Sequence, residues 1–132
     1  MTGFPLKIVT PDGLAFDGMA ESLTVRTVTG DMGIMAKHVD CVAPLGMGAA
    51  TLVADGQRRT AACMGGMVSI IGGAVTLVPT TFEWADEIDV ARAEASEKRA
   101  QAILSNKSAT DTEIRLAKAR LNRALVRKNV RK

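Results

Sequence analysis

The first two thirds of the chain consist of short apolar runs, each ending at a turn-forming sequence. Residues 6–10 and 23–28 alternate between apolar and polar side chains, the pattern of a strand with one face in a core. Residues 11–13 are Pro-Asp-Gly, and the run 49–53 leads into Asp-Gly at residues 55–56, the dipeptide best suited to a tight hairpin. These runs predict strands joined by tight turns.

The same pattern continues up to Trp84. Residues 67–71 end at two glycines and residues 74–78 end at Pro79. Turn signals roughly every 8 to 12 residues are typical of an antiparallel sandwich or barrel. A parallel sheet would need intervening helices, and this part of the sequence contains no helical pattern. The predicted fold class is therefore mainly β plus α, with an antiparallel β-sandwich domain over residues 1–84.

The hydrophobic period changes after the sandwich. Residues 86–104 contain no Gly or Pro, are rich in alanine and begin with acidic residues, which predicts a helix of about 17 residues. After a polar interruption, Thr110 and Glu113 have capping-box spacing and predict the start of a second helix. Its apolar positions form one stripe: Ile114, Ala117, Leu121, Ala124 and Leu125. Residues 85–132 are predicted to form an antiparallel helical hairpin.

This hairpin is predicted to be marginally stable. Its stripes are narrow and dominated by alanine, so the helices pack closely but bury little surface. At ~25 cal/mol per Å² the gain is a few kcal/mol, close to the cost in ordering entropy. We therefore expect two states, one docked on its own sandwich and one open towards a partner, with a modest ligand able to decide between them.

Composition and charge narrow the functional classes. The chain has 132 residues, 47% hydrophobic and 23% charged, which excludes a collagen, a disordered tail and a multidomain enzyme. The net charge is only +3, but from Ile114 onward there are eight basic and no acidic residues. Such an excess is a solvated helix face, or a footprint for nucleic acid or for an acidic protein surface. A nucleic-acid-binding module is one alternative, although the first 80 residues are net acidic and poor in aromatics.

Processing and redox signals are weak. The N-terminus lacks a positive stretch ahead of an apolar run, and no apolar segment approaches the ~20 residues of a membrane span, so a cytosolic protein is expected. Cys41 and Cys63 have no second Cys or His at ligand spacing. They are expected to be reduced core thiols, and no metal ligand is predicted.

A single histidine limits the catalytic possibilities. A Ser-His-Asp or Cys-His arrangement would have to be built on His38, with Asp31, Asp40 or Cys41 near it in sequence. A small hydrolase is thus a second alternative, and the simpler interpretation is a loop histidine satisfied by backbone. The glycines at 46, 48, 72 and 73 lack the remaining residues of a phosphate-binding loop and are interpreted as turns. No catalytic residue is predicted.

Five motifs, in this order, resemble the epsilon subunit of the F-type (rotary) ATP synthase. They are Ile-Val-Thr-Pro-Asp-Gly at 8–13 with Phe16 and Gly18 behind it, Thr-Gly-Asp-Met-Gly-Ile at 29–34 followed by His38, Gly65-Gly66 before a strand, Val-Thr-Leu-Val at 75–78, and Ile-Asp-Val-Ala-Arg-Ala at 88–93. The sequence departs from the family pattern on both sides of His38, and again at Pro79 and Thr80.

The resemblance implies a sandwich of about ten strands and a mobile C-terminal hairpin. It implies a non-catalytic subunit at the foot of the central stalk, which binds the gamma subunit and the membrane rotor ring of c subunits and couples proton flow to nucleotide exchange. The hairpin would extend along gamma and block ATP hydrolysis at the catalytic beta subunits. The implied location is the cytoplasmic side of the bacterial plasma membrane, peripheral and without insertion, with no nucleic acid as partner.

The resemblance also implies three sets of site residues, with ATP as a possible regulatory ligand and no required cofactor. The ATP set is Glu83, Ile88, Asp89, Arg92, Ala93, Arg99, Arg123 and Arg127. The rotor-ring set is Asp31, Met32, Gly33 and His38. The inhibitory set, directed at the beta subunits, is Arg115, Lys118, Arg120, Arg123, Arg127 and Lys128.

Helix geometry is compatible with the ATP set. Arg92 and Arg99 share a helix face, as do Arg120, Arg123 and Arg127, so a folded hairpin brings several guanidinium groups around a triphosphate. The alternative is purely structural. An acid at position 89 favours a helix start with or without a ligand, and Arg92 is able to pair with acids nearby.

Overall fold

The computed structural model of the chain describes residues 3–131. Its ten strands, in chain order, are β1 (Phe4–Thr10), β2 (Gly13–Ala20), β3 (Ser22–Thr27), β4 (Gly30–Ile34), β5 (Cys41–Pro44), β6 (Met47–Ala54), β7 (Gln57–Met64), β8 (Met67–Ile71), β9 (Ala74–Val78) and β10 (Thr81–Trp84). A 3-10 turn (Ala85–Glu87) leads to α1 (Val90–Leu104) and α2 (Asp111–Arg131). The predicted sandwich followed by two helices is confirmed.

The strands form two five-stranded sheets around one core. The first sheet has the order β2-β1-β9-β8-β5 and the second β10-β7-β6-β3-β4. Along β1, Leu6 and Ile8 are buried while Pro5 and Lys7 are exposed, as alternation requires. Buried residues of both sheets, among them Leu23, Val25, Leu52, Ile70 and Leu77, belong to the same hydrophobic cluster. The core is therefore mainly aliphatic, with Phe4 and Trp84 as its buried aromatic residues.

One strand pair departs from the predicted antiparallel pattern. β1 and β9 run parallel, with Leu6 opposite Val75 and Ile8 opposite Leu77. A parallel pair needs a long crossover, and here four strands of the second sheet and three of the first supply it instead of a helix. The other strand pairs of the described chain are antiparallel, as predicted, and the parallel pair joins two strands that are far apart in the sequence.

The segment around Gly48 is a strand and not the predicted turn. Met47 and Gly48 belong to β6, where Gly48 pairs with Cys63 of β7. The side chain of Arg26 crosses this position: a Cβ added to Gly48 would lie 2.6 Å from the Arg26 Cβ. Glycine is needed here to let another side chain pass over the backbone, whereas Gly72 and Gly73 have positive φ and do form the predicted turn.

The helices begin close to where their caps predict. The side chain of Asp89 accepts a 3.1 Å hydrogen bond from the Arg92 backbone N–H, so α1 begins at Val90 rather than at residue 86. At α2 the capping box forms as predicted, because the Thr110 hydroxyl accepts from the Glu113 N–H at 3.1 Å and Glu113 reaches back to the Thr110 N–H.

The helix–helix contact is made mainly of alanine. Ala93 and Ala100 of α1 and Ala117 and Ala124 of α2 are 3%, 1%, 0% and 0% exposed. Leu125, which was predicted on the same stripe, is 40% exposed. It lies about 100° around the helix from Ala124, and an interface between small side chains is too narrow to reach that position.

The described chain divides into two compact units between Trp84 and Ala85. Cys63 is buried in the sandwich, and burial raises the pKa of its thiol to about 12, so it stays protonated at neutral pH. Cys41 is only half-buried, on β5. Within residues 3–131, none of the helices combines the length and the hydrophobicity that a membrane span requires.

Candidate functional site

A small cavity between the two helices collects four arginines. It has a volume of about 270 Å³ and is lined by Ser96, Arg99, Ala100, Ile103, Arg120, Arg123 and Arg127. Spacings of three and four residues on each helix place these side chains on facing surfaces. The structure thus brings together three members of the predicted ATP set, Arg99, Arg123 and Arg127. Arg120 joins them, as expected from the helix face that it shares with Arg123 and Arg127.

The remaining members of the ATP set lie elsewhere in the hairpin or in the sandwich. Asp89 caps α1 and Arg92 is exposed. Ile88 and Ala93 are 5% and 3% exposed, so their side chains are packed inside the protein and are not available to a ligand. Glu83 lies on β10, opposite Ala62. These five residues do not line the cavity.

The electrostatics of the cavity favour an anion. Guanidinium groups stay protonated at every physiological pH, so four of them around one small volume repel each other. Each group also presents paired N–H donors that suit phosphate or carboxylate oxygens. Among residues 3–131, no group of three or more His, Cys, Asp or Glu residues is arranged to hold a metal ion. We call the four arginines that line the cavity, Arg99, Arg120, Arg123 and Arg127, the arginine cluster.

An ion pair links the two helices beside the arginine cluster. The Lys128 Nζ donates to the Glu97 Oε2 at 2.8 Å, and the two side chains are 30% and 17% exposed. The hydrogen bond from Glu97 raises the pKa of the Lys128 ammonium. The Lys128 ammonium is therefore charged throughout the neutral range, and the stability that its raised pKa contributes is lost as the pH rises from the ordinary lysine value through that raised pKa.

The predicted inhibitory set is consequently split in the folded hairpin. Arg115 and Lys118 are exposed on α2. Arg120, Arg123 and Arg127 line the cavity, and Lys128 is paired with Glu97. The basic residues of α2 do not form one uninterrupted outer stripe, which argues against the nucleic-acid alternative.

The predicted rotor-ring set occupies two places. Asp31, Met32 and Gly33 lie together on β4, an edge strand, and the exposed Asp31 carboxylate accepts from the Arg26 Nε at 2.9 Å. His38 lies in the loop that follows the far end of this strand. At about 3.3 Å per residue, that loop begins roughly 13 Å from Asp31.

The loop after β4 provides no catalytic pair. The His38 Nδ1 lies 2.8 Å from the carbonyl oxygen of Val39, to which it donates, as expected of a loop histidine satisfied by backbone. Asp40 accepts from the Gly72 N–H at 2.9 Å and so braces a neighbouring turn. Cys41 pairs with Ile70 in the sheet. Each candidate for the hydrolase alternative thus has a structural contact of its own.

An apolar groove on the sandwich was not predicted. It has a volume of about 730 Å³ at one end of the first sheet, and its lining residues are Val9, Thr10, Pro11, Val42, Gly66, Met67, Ser69, Val78, Pro79 and Thr80. Val42, Met67 and Val78 are 57%, 48% and 47% exposed. The sequence does place apolar residues at outward-facing positions of three strands. That these residues form one continuous surface follows only from the order of the strands in the sheet.

Comparison with known proteins places the chain in a family. The β-sandwich domain of the ATP synthase delta/epsilon chain matches residues 3–85, and the long α-helix domain of that chain matches residues 86–131. The ATP synthase epsilon chain of Bacillus velezensis is 43% identical over 125 residues, covering 95% of this chain and 94% of the relative. That of Bacillus subtilis is 44% identical over 110 residues, covering 83% of each.

Solved structures share the fold. A chain of the mitochondrial ATP synthase of Euglena gracilis, determined by cryo-EM, superposes with a TM-score of 0.86 at 19% identity, over 98% of this chain and 81% of that one. A chain of the central stalk and c-ring of the Tetrahymena thermophila enzyme gives a TM-score of 0.63 at 16% identity, over 97% and 96%. Fold and sequence agree, and the chain belongs to the ATP synthase delta/epsilon family, as an epsilon chain.

Proposed function

We propose that this epsilon chain couples the rotor ring to the catalytic hexamer through gamma, and that its hairpin inhibits ATP hydrolysis when released and binds ATP when folded. The chain acts as a non-catalytic, peripheral subunit on the cytoplasmic side of the membrane. The observation that carries the proposal is the arginine cluster, because it joins two helices whose other contacts are mainly small alanines. A hairpin built in this way depends on an anion for its stability.

The phosphates of ATP suit the arginine cluster in charge and in hydrogen bonding. Arg99 comes from α1, whereas Arg120, Arg123 and Arg127 come from α2. A triphosphate between them relieves the repulsion among the guanidinium groups and connects the two helices by charge-assisted hydrogen bonds. Because the ligand binds only the folded hairpin, its binding free energy adds to hairpin stability.

The apolar groove supports the binding of gamma. Exposed apolar patches rimmed by polar residues mark protein interaction sites, and this groove lies on the rigid sandwich rather than on the hairpin. In this proposal the sandwich attaches the chain to gamma, and the hairpin changes between its folded and its inhibitory state. For the rotor ring, the support is the exposed Asp31 on the β4 edge, held in place by Arg26.

Replacing one arginine of the cluster tests the nucleotide role. We expect Arg123→Gln to weaken ATP binding by roughly 10- to 100-fold, since one bidentate, charge-assisted contact is lost. Isothermal titration calorimetry of the full chain measures this. Arg115→Gln is the matched control, because Arg115 is exposed on the same helix and does not line the cavity. Absence of binding heat for the folded wild-type chain at millimolar ATP, or equal affinities for the two variants, would contradict this role.

A further inference from the structure

The Glu97–Lys128 pair is an ionic contact between the two helices that is largely shielded from water. It joins residues 31 positions apart, one on each helix, with the carboxylate side chain only 17% exposed. The neighbouring interface is formed by alanines, which contribute close packing and little specificity. A directional contact among such small side chains fixes how α1 and α2 are aligned.

The pair ties the last turn of α2 to the middle of α1. Glu97 is one turn beyond Ala93, at the middle of α1, and Lys128 is one turn beyond Ala124, in the last turn of α2. The last turn of α2 is far from the connection at residues 105–110, so we expect it to separate from α1 more readily than the turns beside that connection. An ion pair here acts against opening, and the favourable position of a cation near a helix C-terminus adds to it.

Lys128 therefore has two competing uses. In the proposed inhibitory state it belongs to the basic set that faces acidic groups of the beta subunits, whereas in the folded hairpin its ammonium is occupied by Glu97. One ammonium held at 2.8 Å by a shielded carboxylate is not available to a second protein. Folding of the hairpin withdraws this cation from the inhibitory surface, and opening returns it.

We infer that Glu97 is the residue that keeps Lys128 from the inhibitory contact, so that the hairpin's own carboxylate competes with the carboxylates of the partner for the same lysine. This inference rests on the proposed inhibitory function. It assigns to Glu97, which none of the predicted site sets contains, the role of favouring the uninhibited state.

Loss of Glu97 and loss of Lys128 are expected to have different effects on the inhibition of ATP hydrolysis. Glu97→Gln removes the competitor and leaves Lys128 intact, so the hairpin opens more readily and inhibition increases. Lys128→Gln loosens the hairpin equally but also removes the cation that the inhibitory contact uses, so inhibition does not increase. We expect either variant to raise the opening equilibrium about five- to tenfold, as for loss of a partly buried charged hydrogen bond.

The experiment has two readouts. Amide hydrogen exchange of residues 90–131 in the full-length chain reports hairpin opening, with the sandwich as internal reference for correct folding. ATP hydrolysis by the complex assembled with each variant reports inhibition. Lys118→Gln is the matched control for exchange, because Lys118 is an exposed lysine of the same helix. A Glu97→Gln/Lys128→Gln double variant closes the cycle and isolates the coupling between the two side chains.

The expected result is faster exchange in both single variants, no added effect in the double variant, and stronger inhibition for Glu97→Gln alone. Unchanged exchange in Glu97→Gln would show that the Glu97–Lys128 pair does not oppose opening of the hairpin, whatever the hydrolysis rate of the complex. Faster exchange with equal hydrolysis in the Glu97→Gln and Lys128→Gln complexes would overturn the competition. If removal of the whole hairpin leaves hydrolysis unchanged, the proposed inhibition itself has failed, and that outcome is distinguishable because the exchange measurement does not depend on it.

Discussion

Ending the chain at Trp84 is expected to raise ATP hydrolysis by the assembled complex roughly fivefold or more, while binding to gamma is retained. The sandwich up to Trp84 is a compact unit with its own core, so removal of the helices leaves it folded. The hairpin carries the whole basic segment from Ile114 onward, which is the part proposed to face the beta subunits. Hydrolysis rates of the complex with the full and the shortened chain measure the effect.

The control for this truncation preserves the hairpin and changes only its charge. Neutralising Arg115, Lys118 and Lys128 together should reproduce part of the increase, because Arg115 and Lys118 are exposed on α2 and Lys128 is released on opening. If the shortened chain binds gamma and hydrolysis stays at the level of the full chain, the hairpin has no inhibitory role. The basic residues then serve only solubility.

Placing charge in the apolar groove is expected to weaken gamma binding by about 100-fold or more. Val42 and Val78 are 57% and 47% exposed in the chain alone and would become buried when gamma binds. The double variant Val42→Asp/Val78→Asp places a carboxylate at each of these two positions. Burial of unpaired charge is far more costly than loss of apolar contact. Both positions already face outward, so the sandwich itself tolerates the change.

Co-purification of the variant with gamma measures this loss. Leu14→Asp is the matched control, since Leu14 is 61% exposed on β2 and does not line the groove. Loss of gamma binding by both variants would point to general damage, which circular dichroism would detect. Undiminished binding by the correctly folded double variant would show that gamma docks on another surface of the sandwich.

Features encoded within a few residues could be predicted from the sequence. The capping box of Thr110 and Glu113 forms as expected because both partners lie within one helical turn. The Asp-Gly pair at residues 55–56 does connect β6 and β7. Asp89 was expected at a helix start and caps α1, although the 3-10 turn ahead of it shortened the helix. In the two caps the local chain contains both the donor and the acceptor, and in the turn Asp55 and Gly56 adopt the positive φ angles that a tight hairpin requires.

Features that depend on distant residues could not be predicted in this way. The parallel pairing of β1 with β9 joins strands at opposite ends of the sandwich sequence. The Glu97–Lys128 contact requires the alignment of two helices, which the pattern of neither helix specifies. The need for glycine at position 48 arises from the path of Arg26, a residue of another strand. These are properties of packing, and a single sequence does not state them.

We propose that the hairpin is a conditional structure and that an anion in the arginine cluster stabilises its folded state. Amide hydrogen exchange of α1 and α2 in the full-length chain, with and without millimolar ATP, tests it most directly. We expect ATP to slow exchange throughout residues 90–131 and to leave exchange in the strands of the sandwich unchanged. Exchange in both helices that is the same with and without ATP would contradict it.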